Sequence, residues 1–371
     1  MNDHPKLTIG MACYDDFDGV WFTINALRLY HAECMSEVEF IVVDNNPHSS
    51  DGQCVRRFLE GWVPNARYVE YHGSVGTAAP RNEVFRQASG DMVLCLDPHV
   101  LLEPDVLRRL MQFYETNPNC LDLLQGPLVY DDLKSFSSHF NDEWRDQMWG
   151  TWGTDPRGSF QSHRQYCADP VTSDLTIKVS TVEEAPFEIP AQGLGLFSCR
   201  RAAWLGFHPG FYGFGGEEFY IHEKFRQAGR RTLCLPFLRW IHRFNRPRGV
   251  PYPLMTEHKF RNYVLGLTEL QLPVQVAVEH FAKHLSPQAI AQILKDPNRL
   301  PVLPQQPRST WTLQLRSRSL RFCRQIAGVW RRCLQRCTNT LQKRRLRKID
   351  ISDPPPQPDT GQITADLTRP E

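Results

Sequence analysis

Met92-Val93-Leu94-Cys95-Leu96-Asp97-Pro98-His99 decides the reading of this chain. Five apolar residues in a row read as a short buried strand, and Asp97 stops it. A carboxylate and an imidazole two residues apart then stand at its C-terminal end, where both can turn toward one divalent ion. Open α/β sheets bind their ligands at the carboxyl ends of the strands. Asp97 and His99 are therefore candidate metal ligands on the floor of an active site. The plainer alternative is an ordinary strand-to-loop turn.

Working outward, the first hundred or so residues alternate strand and helix. Strands are expected at Leu7–Ala12, Glu39–Val43 and Ala66–Tyr71, and helices at Trp21–His31, Gln53–Glu60, Pro80–Ala88 and Pro104–Glu115. This alternation predicts an α/β fold with a doubly wound, mostly parallel central sheet flanked by helices. Leu121–Gly126 reads as a further strand. Asn141–Trp152 is rich in Trp beside charged residues, and 153–186 shows little periodicity, as binding loops often do. Order returns with a strand at Leu194–Cys199, a helix at Glu217–Ala228, short strands at Thr232–Leu235 and Arg239–His242, and helices over Glu257–Leu272 and Val274–Leu294.

The 371 residues suffice for one large domain with additions. The formal charge is only +2, yet residues 308–348 hold 13 Lys and Arg and no acid, which leaves 30 basic against 41 acidic residues elsewhere. An acidic body carries a basic tail. In that tail Leu320, Phe322, Cys323, Ile326, Trp330, Cys333, Leu334, Cys337 and Leu341 recur at helical spacing, the mark of a basic amphipathic helix. Such a helix suits an anionic membrane surface first; nucleic acid, or packing on the acidic body or another subunit, is the alternative. The expected organisation is a main domain over 1–272, a helical extension over 273–300, a Pro-rich linker at 301–308, the basic helix at 309–348 and a disordered tail at 349–371. The 11 cysteines are odd in number and lack a Cys-x-x-Cys pair, so they read as reduced thiols of a cytoplasmic protein, without structural zinc. Neither a secretory signal nor a membrane span is evident in the sequence.

Further motifs fall in order around Asp97. Asp44 ends the second expected strand in Val42-Val43-Asp44-Asn45-Asn46-Pro47; Gly73-Ser74-Val75-Gly76-Thr77-Ala78-Ala79-Pro80-Arg81-Asn82 precedes the Asp97 strand, and Ala88-Ser89-Gly90-Asp91 leads into it. Gly215-Gly216-Glu217-Glu218 opens a helix, and Trp240-Ile241-His242-Arg243 follows some two dozen residues later. In this order the pieces resemble a GT-A glycosyltransferase of the family 2 kind over roughly residues 5–250. The Asp-x-His motif resembles the polypeptide N-acetylgalactosaminyltransferase branch.

The resemblance implies roles. Asp97, His99 and His242 would hold a divalent cation that neutralises a departing diphosphate. Mixed oxygen and imidazole ligation favours Mn²⁺ over Ca²⁺, with Mg²⁺ as the alternative. Asp44 would accept the N3–H of a uracil; Tyr14 would stack on the base and Asp15 bond base or ribose; Arg81 would pair with the nucleotide. Gly195, with Gly193, would line the donor sugar. Glu218 would be the general base of an inverting transfer, and Glu217 would bond acceptor or donor hydroxyls. The retaining N-acetylgalactosaminyltransferases typically carry an amide at the position of Glu218, so the two clues to stereochemistry disagree, and the presence of a base favours inversion. Trp149, Trp152 and Trp240 are candidate sugar-stacking faces, and Phe211, Tyr212 and Phe214 candidate walls of an acceptor pocket.

The expectation is thus a hexosyl- or N-acetylhexosaminyl-transferase using a UDP-sugar donor and a hydroxyl acceptor (a glycan, lipid-linked sugar or protein). It would be cytoplasmic and peripheral at the inner face of the membrane. A nucleotidyltransferase, or a non-catalytic carbohydrate- or membrane-binding protein with a relic fold, are the rival readings.

Overall fold

The computed structural model describes residues 4–159, 164–168, 175–179, 185–246, 249–252 and 254–299. The expected linker 301–308, basic helix 309–348 and tail 349–371 lie outside them. The elements begin with β1 (Leu7–Cys13), α1 (Phe17–Tyr30), β2 (Val38–Asp44), α2 (Ser50–Trp62), β3 (Ala66–Glu70), α3 (Ala78–Gln87), β4 (Met92–Leu96), β5 (Val100–Leu102) and α4 (Val106–Thr116). Short strands follow: β6 (Leu123–Gln125), β7 (Leu128–Val129), β8 (Phe136–Ser137), β9 (His139–Arg145), β10 (Met148–Gly153), β11 (Arg164–Ala168), β12 (Leu175–Val179), β13 (Phe187–Glu188) and β14 (Leu196–Arg200). The described part ends with α5 (Glu217–Gln227), β15 (Thr232–Cys234), β16 (Trp240–His242), α6 (Thr256–Glu269), α7 (Gln275–Phe281) and α8 (Pro287–Lys295).

The central sheet runs β13-β15-β6-β14-β4-β1-β2-β3. Its β4, β1, β2 and β3 are mutually parallel, as is the β15–β6 pair, whereas β14 runs antiparallel between β4 and β6. Met92, Leu94 and Leu96 point into one apolar cluster with α1, α2 and α4, while Val93 and Cys95 point into a second with α3 and α5. A strand covered on both faces needs no polar alternation, which is why its sequence is a continuous apolar run.

Register positions the site. Cys13 pairs with Asp44 and Met11 with Leu96, so β1, β2 and β4 release Tyr14, Asn45 and Asp97 at one edge of the sheet. A smaller sheet, β5-β16-β7-β8, lies beyond this edge, and its β16 pairs antiparallel with β5, His242 opposite Val100.

Two expectations are corrected. Asn141–Trp152, read as an irregular Trp-rich stretch, is the antiparallel hairpin β9–β10, with a register shift between Trp149 and Thr151. Its Trp144 and Trp149 join α6, α7 and α8 in an apolar cluster with Phe260, Phe281 and Ile293. The first helix starts at Phe17, four residues before the expected Trp21, because Asp16 caps it by accepting from the Gly19 N–H at 3.1 Å. No helix among the described residues is long and apolar enough to cross a membrane.

Candidate active site

Asp97 uses its two oxygens differently. Oδ1 accepts from Arg81 Nη2 at 2.7 Å, and Oδ2 faces His242 Nε2 at 3.7 Å and His99 Nε2 at 4.0 Å. The two imidazole Nε2 atoms are 3.2 Å apart. One ligand atom from each of Asp97, His99 and His242 lies within 4.8 Å of the others, and this is the sole such cluster of metal-ligating side chains among the described residues. Two nitrogens bound at about 2.1 Å to one cation, at a right angle, would be about 3 Å apart. The donor set therefore fits a divalent ion of borderline hardness.

The surroundings prepare each ligand. Burial alone would raise the Asp97 carboxyl; Arg81 foremost, then the two imidazoles, overturns this and holds it well below the usual carboxylate range. Burial also pushes the His242 imidazole down, which keeps it neutral with a lone pair to give. His242 Nδ1 is buried without a hydrogen-bond partner. His99 Nδ1 donates to Asp16 Oδ2 at 2.9 Å, leaving Nε2 as the acceptor face. Asp16 thus caps α1 and orients His99 at once. Gly19 makes this fit, since a Cβ there would collide with the Pro98 carbonyl oxygen.

The Gly73–Asn82 stretch ties this floor to the Gly-Gly-Glu-Glu turn. Thr77 N–H donates to the Gly213 carbonyl at 3.1 Å, and Gly213 N–H to Val75 O at 2.7 Å. Glu217 accepts from the Thr77 hydroxyl through Oε1 and from Gly215 N–H at 2.7 Å through Oε2. Four residues past Thr77, Arg81 grips Asp97. Glu217 is 1% exposed and holds the turn together. Gly215 (φ 109°) and Gly216 (φ 93°) adopt left-handed backbone that side chains resist, and they aim the first turn of α5.

Glu218 differs from its neighbour. Its Oε2 is buried with no hydrogen-bond partner. Burial, then the adjacent Glu217 carboxylate, pushes its carboxyl up to about 7. A half-buried acid with an unclaimed oxygen and a poise near neutrality suits proton transfer.

The other expected contacts are distributed as follows. Asp44 is fully buried; it accepts from Tyr68 Oη at 2.7 Å and from Asn46 N–H at 2.9 Å. Asp15 (φ 50°) takes both carboxylate oxygens to Asn46 Nδ2 at 3.1 Å, pinning the end of β1 to the end of β2. Tyr14 meets Tyr252 edge-on at 6.1 Å between ring centroids. Arg81 is 5% exposed, and the one ion pair it makes among the described residues is with Asp97. A Cβ at Gly195 would meet the Trp240 ring at 2.7 Å and Asp97 Oδ2 at 3.3 Å, so the glycine leaves room for both. Trp240 is corrected: it is 1% exposed, its Nε1 donates to Gly126 O at 2.9 Å, and it presents no face to a sugar.

Sequence reading missed Asp16, Arg246 and Tyr252. Arg246 lies 3.8 Å from Asp16 Oδ2 and 3.4 Å from His99 Nδ1, with a buried, unpartnered Nε. Burial and the nearby Asp97 carboxylate push the Tyr252 phenol up to about 12. The Asp15-Asp16 pair before a helix was a legible cap, and the arginines after His242 were a legible cationic run.

A sequence model described as glycosyl transferase family 2 matches residues 8–170, the stretch carrying Asp44, Arg81, Asp97 and His99. Among solved structures, one of GalNAc-T7 with UDP, GalNAc and Mn²⁺ is similar at a TM-score of 0.52 and 14% identity, over 76% of this chain and 55% of that one. This chain thus spans little more than half the length of that relative. S. aureus TarS 1–349 in complex with UDP-GlcNAc aligns at a TM-score of 0.45 and 15% identity, over 75% of this chain and 71% of that one. The mannosyltransferase PcManGT from Pyrobaculum calidifontis, in complex with GDP-Man and Mn²⁺, aligns at 0.45 and 14%, over 86% and 81%. No curated protein matches the chain. The fold is of the GT-A type, a mostly parallel sheet flanked by helices. Its residues 8–170 carry the family 2 match.

Proposed function

We propose that the protein transfers a sugar from a nucleotide-sugar donor to a hydroxyl acceptor with the help of a divalent cation. The observation that carries this is the convergence of Asp97, His99 and His242 at the strand ends, tied through Arg81 and Thr77 to the turn that presents Glu218. The cation, Mn²⁺ by its donor set, would be held by those three side chains and would supply Lewis-acid neutralisation of the diphosphate. Arg246 lies beside the same ligands and adds a fixed positive charge on the leaving-group side.

Glu218 would take the proton of the acceptor hydroxyl. The acceptor oxygen then bonds to the anomeric carbon as the bond to the diphosphate oxygen breaks, and the diphosphate leaves with the electron pair. A base facing the acceptor makes this an inverting displacement. Glu217, with both oxygens engaged, would hold the turn and position Glu218. Tyr14 and Asp15 would form the nucleotide end, Tyr14 through its ring and Asp15 through the remaining lone pairs of its carboxylate, while Asp44, fully buried with Tyr68 and Asn46 on its two oxygens, would brace that end from behind instead of contacting the base. Arg81 would act on the donor through Asp97, and Gly195 by leaving space beside it. UDP as the nucleotide, and kinship with the N-acetylgalactosaminyltransferase branch, rest on the Asp-x-His resemblance. The cytoplasmic reading rests on the unpaired cysteines, and the membrane-peripheral one on the basic segment 309–348.

Release of UDP from a panel of UDP-sugars, with and without Mn²⁺, tests the proposal. Metal-dependent UDP release supports it. Pyrophosphate release from a nucleoside triphosphate would favour nucleotidyl transfer, and turnover of neither would leave a binding protein.

A further inference from the structure

Most cations near the site have a carboxylate partner: Arg81 with Asp97, Arg246 with Asp16, and Arg243 with Asp18. Two do not. The side chains of Arg145, at the end of β9, and Lys259, in the first turn of α6, make no hydrogen bond or ion pair among the described residues, and neither charged end is sealed from solvent. Both are nevertheless fixed. The Arg145 guanidinium lies over two rings, 4.5 Å from the Trp152 centroid and 5.7 Å from that of Phe140, and these cation–π contacts hold it in place. Lys259 is 9% exposed; its stem packs on Gly215, and its ammonium lies 5.9 Å over Phe214.

The elements that carry them close on the Glu218 turn from two directions. Met148, just past Arg145 in the hairpin, packs on Gly215, and Trp149 N–H donates to Tyr263 Oη at 2.7 Å. From α6, Asn262 Nδ2 donates to the Gly215 carbonyl at 2.9 Å. Arg145 acts electrostatically on Glu218, and Glu218 on Lys259, yet neither cation forms a contact ion pair with it. In a body with an excess of acid, two held but unpaired cations beside an unpaired base form a ready anion subsite.

We infer that Arg145 and Lys259 bind an anionic group of the acceptor, a phosphate or a carboxylate, next to the hydroxyl that Glu218 deprotonates. This rests on the transferase reading of the site and narrows it: the acceptor is a phosphorylated polyol or sugar, or a uronic acid, instead of a neutral glycan.

The experiment uses the full chain with Mn²⁺ and whichever UDP-sugar it hydrolyses in water. Matched acceptors are compared: glycerol with sn-glycerol 3-phosphate, and methyl glucoside with methyl glucuronide. The charged member of at least one pair is expected to have the higher kcat/KM by about tenfold or more, the worth of one hydrogen bond to a charged group. Which pair responds tells phosphate from carboxylate. In Arg145→Gln and Lys259→Gln that ratio should fall toward one, and Lys259→Arg should restore it. The ratio is internal to each variant, so partial misfolding does not mimic the effect. Equal use of charged and neutral acceptors by the unmodified protein, or a ratio unmoved by both Gln variants, overturns the inference while leaving the transferase reading standing. Absence of metal-dependent donor hydrolysis overturns both.

Discussion

The Nε2 atoms of His99 and His242 lie 3.2 Å apart although 143 residues separate them in sequence. The antiparallel pairing of β5 with β16 makes that approach, and Asp97 completes the cluster. Two unprotonated nitrogens facing each other at this distance repel unless a shared proton or a cation lies between them. The first prediction follows. Mn²⁺ should raise the melting temperature of the protein in a concentration-dependent way, by mass action. His242→Ala and Asp97→Ala should each abolish that rise while the variant still melts cooperatively. An undiminished Mn²⁺ effect in both variants would remove the metal site.

Asp16 joins helix capping to ligand orientation, so its removal should be felt twice. Asp16→Ala should cost about 1 kcal/mol of stability through the lost cap. It should also weaken Mn²⁺ binding by roughly 10–100-fold, as loss of a partner behind a metal-bound histidine does. Asp16→Asn keeps one oxygen for the Gly19 N–H but turns an amide N–H2 toward His99 Nδ1–H, so it should spare most of the stability and still weaken Mn²⁺ binding. Denaturant titration and metal calorimetry on the two variants separate the effects.

Arg81 is the partner that keeps Asp97 ionised inside the protein. Arg81→Met should leave a largely buried carboxylate facing two imidazoles alone, at a cost of about 2–3 kcal/mol, the lower end for a broken buried pair because Asp97 retains some exposure. The pH dependence has a definite sign. The Asp97 carboxyl is depressed below its ordinary value of 3.8, so its contribution is fully present above about pH 4 and is lost as pH falls below that. Arg81→Met should shrink this acid-side loss, which chemical denaturation between pH 5 and about pH 2 would reveal.

Glu218 titrates near neutrality, and only its ionised form accepts a proton. Transfer should therefore rise with pH through about 7 and level off above it. Glu218→Gln should keep donor-dependent thermal stabilisation and lose transfer at every pH. Since the folded carboxyl is raised from 4.5, the protonated form favours the fold and stability declines as pH rises from about 4.5 through about 7. Glu218→Gln should hence melt higher than the parent at pH 8 and alike at pH 4. A Gln variant that still transfers sugar ends the general-base assignment.

The parts of the fold carried by local signals were legible in the sequence. β1, β2 and β4 are apolar runs with clear ends, and the strand-helix alternation made their parallel order readable. Asp97 and His99 declared themselves because they sit together on one strand end. His242 needed the family resemblance, since nothing local distinguishes it from any strand-end histidine. The β9–β10 hairpin was missed because its partners are distant: Trp144 stacks on His280 and Trp149 bonds Tyr263, so tertiary packing, not a two-residue alternation, dictates its side chains. Trp240 failed as a sugar platform for a related reason. Its aromatic bulk fills the space left by Gly195, a pairing that spans 45 positions and is invisible to a reading by spacing.

β14 enters the sheet against the direction of β4, and this has a consequence for how the protein tolerates change. Tyr14, Asn45 and Asp97 stand at the carboxyl ends of parallel strands, which cannot shift by one residue without turning their apolar side chains to the wrong layer. The hairpin β9–β10 lies outside that parallel run and is fastened through the Trp149 N–H on Tyr263 of α6, so exchanging its exposed Asn141 or Glu143 leaves the register of those strands untouched.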